Sequence, residues 1–246
     1  MTLLFLACAS TERANDDPNV ADTADSADTA ADWAPAAGCP AAEPGRHEVE
    51  SATASTYFAQ HPEGVVGPAN LVIFLPGGDG TKRSAEATWA SFFDEDPRGY
   101  RIVMPFVGAE GDYPNVSPPV EALLDEVAAC FGPAAATHLV GHSNGGYLAY
   151  NVVGPDLAAR FVTITGAPGY FQQFKHNKLE GLAFHNAAGE TDTQWVAGMR
   201  DAHEALTDAG FTSQLTIWPG QGHTPGRDWD GRDGMFAFWD AHPTAR

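Results

Sequence analysis

Polar and apolar positions divide this chain into two regimes. In the first, from about Ser10 to Pro44, the run Ala-Asp-Thr-Ala-Asp-Ser-Ala-Asp-Thr-Ala-Ala-Asp has no structural period and almost no large apolar side chain. Such a tract cannot bury enough surface to offset its chain entropy. Its carboxylates repel one another and extend the backbone. Residues 9–45 therefore read as a disordered acidic linker, and 46–246 as the folded domain.

Beyond His47 the pattern becomes regular. Residues 47–51 and 55–59 alternate weakly and are expected to pair as an antiparallel edge. Asn70-Leu71-Val72-Ile73-Phe74-Leu75 is apolar at consecutive positions, as in a strand covered on both faces, and Pro76-Gly77-Gly78-Asp79-Gly80 closes it. Helical and strand patterns then alternate: helix 82–93, strand 100–105, helix 119–131, strand 137–142, and a helix from Tyr147 that Gly154-Pro155 should terminate. Strands 160–165 and 181–186, helix 193–209, strand 211–219 and helix 227–241 follow. Pro119 suits a first helical turn and Gly132-Pro133 a helix end. This alternation implies right-handed crossovers and an α/β fold, a mostly parallel, doubly wound sheet with helices on both faces. Ligands bind such sheets at the carboxyl ends of the strands.

Composition narrows the picture. With 246 residues, 43% of them apolar, the chain can bury one substantial core. A net charge of −19 with only 13 lysines and arginines argues against nucleic acid, whose binding needs clustered cations, and against anionic membrane surfaces. Residues 1–8 read as the end of a signal peptide, with Leu6-Ala7-Cys8 resembling a lipobox. They are too short to span a bilayer, so a lipid at Cys8 is the expected membrane link. Cys39 and Cys130 would suit one disulfide in an oxidising compartment. The expectation is an exported protein, monomeric, at the cell surface or in the periplasm.

The chemistry centres on Gly141-His142-Ser143-Asn144-Gly145, between an apolar strand and a helix. A G-x-S-x-G there forms a sharp elbow that lifts the serine hydroxyl clear of the sheet, with glycines where side chains would collide. A serine hydroxyl needs a base, and the base needs a carboxylate to fix its tautomer. Five histidines follow Ser143. His203 and His185 fall within a predicted helix and strand, His242 lies past the last helix, and His176 has no such context. His223 sits in the flexible loop Gly220-Gln221-Gly222-His223-Thr224-Pro225 directly after the last strand, which makes it the candidate base. In Gly189-Glu190-Thr191-Asp192-Thr193, Asp192 is the candidate acid and Glu190 the fallback; Asp192 could also cap the helix beginning at Thr193. Oxyanion donors are expected from the amides of Asn144 and Gly78. Tyr113, Tyr170, Phe171, Phe174 and Trp195 are candidates to line a substrate cleft. No histidine or carboxylate pairs occur at ligand spacing, so neither a metal nor another cofactor is expected.

With these residues placed, the sequence resembles the α/β-hydrolase superfamily, and within it the secreted esterases related to polyhydroxybutyrate depolymerases and feruloyl or acetylxylan esterases. The matching pieces are 71–80, the block 120–150 with its Gly-x-Ser-x-Gly-Gly ending, 189–192 and Gly222-His223; Pro76 stands where many members carry His in a His-Gly pair. The resemblance implies an α/β-hydrolase fold and hydrolysis of carboxylic esters through an acyl-serine, without cofactor; the short connections around the site point to short-chain, aryl or polymer-borne esters. Only 49 residues separate Ser143 from Asp192, so no large cap domain is expected. A peptidase or amidase would use the same residues, and a hydrolase-like binding protein with a silent site is the other class left open.

Overall fold

The computed structural model describes residues 34–51, 55–65, 67–93, 97–107, 115–169, 178–226 and 229–244. Strands β1 (Gly45–Val49) and β2 (Tyr57–His61) lead into β3 (Leu71–Leu75), helix α1 (Lys82–Phe92), β4 (Arg101–Pro105) and α2 (Ser117–Phe131). Next come β5 (Thr137–Ser143), α3 (Asn144–Leu148) and a short α4 (Gly154–Asp156), with one π turn, Ala149–Val153, between the two helices. The chain closes with β6 (Thr163–Gly169), β7 (Ala183–Gly189), α5 (Thr193–Asp208), β8 (Thr212–Trp218) and α6 (Arg232–Asp240).

The eight strands form one sheet in the order β1-β2-β4-β3-β5-β6-β7-β8. β1 and β2 run antiparallel to their neighbours, and every pairing from β4 to β8 is parallel. Period-two alternation on β3 explains its continuous apolarity. Leu71, Ile73 and Leu75 enter a core with Leu123, Val127 and Phe131 of α2 and Leu148 of α3. Val72 and Phe74 face the other way, toward Trp89 and Phe92 of α1 and Phe238 and Trp239 of α6. Each such side chain contributes about 1.5–3 kcal/mol on burial. The central strands are thus fixed from both sides, and their carboxyl ends carry the loops 76–80, 143–144, 189–192 and 219–226.

Several elements differ from expectation, each for a physical reason. Gly154-Pro155 does not end the helical path after the elbow: Gly154 keeps helical angles, with its N–H bonded to the Ala149 carbonyl, and Pro155 follows where the π turn has already interrupted the i→i−4 ladder. Strand β6 begins at Thr163 rather than 160, because Ala158–Arg160 forms a 3-10 turn, and it runs on through Gly166 and Gly169. The ring of Tyr150 lies where side chains at those two glycines would be. β7 likewise continues through Ala187-Ala188-Gly189. Residues 34–44, assigned by composition to the linker, dock on α2: Ala36 N–H donates to the Ala129 carbonyl at 3.2 Å and Cys39 is disulfide-bonded to Cys130. The acidic repeats and the lipobox-like Cys8 lie outside the described residues.

Candidate active site

The elbow is built by close packing. Ser143 ends β5 at φ 56°, ψ −118°, a left-handed backbone that costs on the order of 1–3 kcal/mol for a residue with a side chain. The surrounding glycines show what holds it there. A Cβ on Gly141 would run into the carbonyl of Gly145, and one on Gly145 into the carbonyls of Leu75 and Pro76. Removing side chains at both positions lets the start of α3 press against the end of β3. The strain is therefore imposed by tertiary packing.

That packing also brings the loop after β3 to the elbow. Asn144 Nδ2 donates to the Gly78 carbonyl at 2.8 Å, so the two residues named as amide donors are neighbours. Gly78 needs its glycine, with φ +66° and Ser84 Oγ occupying the place a Cβ would take. Asp79 holds the turn: its Oδ1 accepts from Thr81 N–H at 3.1 Å, Thr81 Oγ at 2.7 Å and Ser84 Oγ at 2.6 Å. These hydroxyl and amide donors favour its anion and lower its pKa to about 2. Gly77 N–H is tied to Thr88 Oγ1 of α1 at 3.3 Å. The loop is thus preorganised by hydrogen bonds at both ends.

The candidate acid and base come together from the loops after β7 and β8. Asp192 occupies the N-cap position of α5, yet its side chain makes no cap hydrogen bond. Its Oδ2 instead lies 2.6 Å from His223 Nδ1. A carboxylate only accepts, so Nδ1 carries the proton, and in the neutral ring Nε2 presents a lone pair. The Asp192 side chain is 12% exposed and that of His223 37%, so the pair is sheltered on the carboxylate side and open on the imidazole side. Glu190, the fallback acid, is engaged elsewhere: its Oε2 accepts from Gly220 N–H at 2.9 Å. Thr191 clamps the same loop, with both its N–H and its Oγ donating to the Gln221 carbonyl, at 2.9 and 2.8 Å.

His223 is tied to the residue before Ser143, His142. His142 Nε2 donates to the His223 carbonyl at 3.0 Å, and the two rings are 5.1 Å apart. Burial lowers the His142 pKa to about 4, so this ring is neutral. Sequence reading gave it no role, and the only available signal was its place beside Ser143. Trp195, expected to line substrate, is half-buried with its ring packed 5.1 Å from that of His223.

The other histidines after Ser143 with described positions serve the framework: His185 bonds Thr216, His203 bonds Ser213 and His242 bonds the Phe238 carbonyl. Tyr113, Tyr170, Phe171, Phe174 and His176 lie outside the described residues. Among the described residues, no three His, Cys, Asp or Glu side chains cluster as they would to hold a metal.

An antiparallel pair leading a parallel sheet, with a strained serine elbow after the fifth strand, is the α/β-hydrolase fold, and the chain adopts it. No known family model matches the sequence, and no curated protein does. Among solved structures, the chain is similar to esterase PE8, with 23% identity and a TM-score of 0.57 over 77% of this chain and 98% of that one. It is similar to esterase B from Lactobacillus rhamnosis, with 15% identity and a TM-score of 0.58 over 81% and 85% of the two chains. It also resembles LpqC, a poly(3-hydroxybutyrate) depolymerase from Bordetella parapertussis, with 17% identity and a TM-score of 0.55 over 83% and 93%.

Proposed function

We propose that this protein is a serine hydrolase of carboxylic esters, with Ser143 as nucleophile, His223 as base and Asp192 as the orienting acid. The observation that carries this reading is the 2.6 Å Asp192–His223 contact beside a strained serine, with the His223 main chain bonded to the residue preceding that serine. In the reaction, Ser143 Oγ attacks the ester carbonyl carbon while His223 Nε2 takes its proton. The resulting oxyanion is met by the amides of Asn144 and Gly78, each such donor being worth about 2.7–4 kcal/mol. Collapse breaks the bond to the alcohol, which leaves with the proton from His223. Water, deprotonated by the same imidazole, then attacks the acyl-serine and releases the acid. Asp192 keeps the tautomer fixed and stabilises the imidazolium as it forms.

Two esterases and a polyester depolymerase among the structural neighbours favour ester over other acyl substrates. The connections 106–116 and 170–182 are too short for a cap domain, which favours an open cleft. Long acyl chains need an enclosed channel to bury about 0.8 kcal/mol per methylene, so short acyl, aryl or polymer-borne esters fit better. We infer export as well, since the Cys39–Cys130 bridge suits an oxidising compartment. The deciding experiment is a p-nitrophenyl ester series from acetyl to dodecanoyl, run beside anilide and peptide substrates. The reading expects kcat/KM to peak between acetyl and butyryl with amides far slower. Faster amide cleavage would make the protein an amidase or peptidase, and no turnover of any arm would make it a binding protein.

A further inference from the structure

The base loop 219–226 is fastened to the acid turn by four contacts: Gly220 N–H to Glu190, Thr191 N–H and Oγ to the Gln221 carbonyl, and His223 to Asp192. All four lie on the β7–β8 side of the sheet. They fix His223 relative to Asp192, and none of them fixes it relative to Ser143, which belongs to β5. On the β5 side the tie is His142, whose Nε2 donates to the His223 carbonyl at 3.0 Å. Its ring is 5% exposed, packed 5.0 Å from Phe92 and directly beside Gly77, where a Cβ would sit 2.6 Å from Nδ1. That Nδ1 is a buried acceptor without a hydrogen-bond partner. An apolar ring would fill the same space without stranding a lone pair; what it would lack is the N–H to His223.

We propose that His142 is a positioning residue for the ester hydrolysis set out above, on which the proposal rests: its Nε2–H holds the His223 main chain against the nucleophile strand and sets where the imidazole meets the Ser143 hydroxyl. The ring's hydrogen bond goes to a main-chain carbonyl, not to the imidazole of His223. It acts through the base loop, and its contact with Gly77 makes it a spacer between that loop and the loop carrying Gly78.

The test compares His142→Phe, which keeps an aromatic ring and loses the donor, with His142→Gln, whose amide nitrogen can reach the same carbonyl. Both are assayed on p-nitrophenyl acetate for kcat, KM, pH profile and melting temperature, beside Ser143→Ala. Displacing a catalytic group by about 1 Å costs roughly 100-fold, so His142→Phe should lose about 10- to 100-fold in kcat with KM within about threefold. His142→Gln should recover most of kcat with an unshifted pH profile. A His142→Phe variant as fast as the parent, beside an inactive Ser143→Ala, overturns the positioning role and leaves the serine mechanism standing. Equal losses in Phe and Gln variants that track their melting temperatures reduce the residue to packing. Abolished activity in a stable His142→Gln variant makes the ring a proton carrier and also overturns the proposal. An active Ser143→Ala removes the mechanism and the proposal together.

Discussion

Replacing Cys39 and Cys130 by serine together should lower stability without touching catalysis. The bridge joins residues 91 apart in sequence, and closing a loop of that length costs the unfolded chain about 4.6 kcal/mol at 25 °C in the chain-entropy account. Part of this is returned on the native side. Residues 34–44 are otherwise held by the Ala36–Ala129 main-chain bond and by the half-buried Cys39 and Ala42 against the core, so without the bridge the segment gains freedom in the folded state too. The expected loss is therefore about 2–4 kcal/mol, and a domain of this size loses roughly 2–4 °C of melting temperature per kcal/mol. A drop of about 5–15 °C follows, with the parent in reductant melting like the double variant. Ester hydrolysis well below the transition should be unchanged, because Cys130 lies in the last turn of α2, which leads into the amino end of β5, whereas Ser143 is at that strand's carboxyl end. Thermal melts with and without dithiothreitol, backed by intact mass after alkylation, measure all of this. Melting within 2 °C of the parent, or two alkylatable thiols without prior reduction, would refute the reasoning.

Other substitutions probe the site and its frame. Asp192→Asn should lower kcat by about 10⁴ through the wrong imidazole tautomer while leaving KM and melting nearly unchanged; a loss under tenfold would give the acid role to another residue. Gly145→Ala drives a methyl into the Leu75 and Pro76 carbonyls, so it should both destabilise the fold and cut activity, read by melting and kcat; parent-like behaviour would mean the elbow relaxes freely. Burial lowers the pKa of His138 from 6.5 to about 3, and those of His142 and His185 to about 4. The unfolded chain therefore binds protons below about 6.5 that the native state refuses, and stability falls as pH drops from 6.5 toward 4, by at most about 1.4 kcal/mol per unit for each histidine. Urea midpoints independent of pH across that window would contradict the burial of these rings.

Much of this arrangement was legible in the sequence because glycine and proline punctuate it. The strand entering Pro76-Gly77-Gly78, the elbow after Val140, and the His223 loop after β8 are each an apolar run stopped by residues that tolerate tight turns. Asp192 was readable as a residue between strand and helix, but the two carboxylates are separated only by its contact with His223 and the engagement of Glu190 by Gly220. What escaped was set by contacts distant in sequence. β6 and β7 end in small residues, Gly-Ala-Pro-Gly and Ala-Ala-Gly, that read as loop. They remain strand because Tyr150 covers Gly166 and Gly169, and because Gly189 packs against the carbonyls of Gln221 and Gly222. His142 escaped for a similar reason. Its value lies in a carbonyl 81 residues away, and a local pattern carries no trace of that.

The central claim is that Ser143 is the nucleophile, and the most direct measurement is the kcat of purified, folded Ser143→Ala on the best ester of the acyl series. Glycines at 141 and 145 create the room for the elbow, so the alanine variant should keep the parent's melting temperature and lose only the hydroxyl. Removal of a triad nucleophile lowers kcat on the order of 10⁶-fold, and that loss is the expected result. Hydrolysis above a few per cent of the parent rate, with parent contamination excluded, would contradict the account.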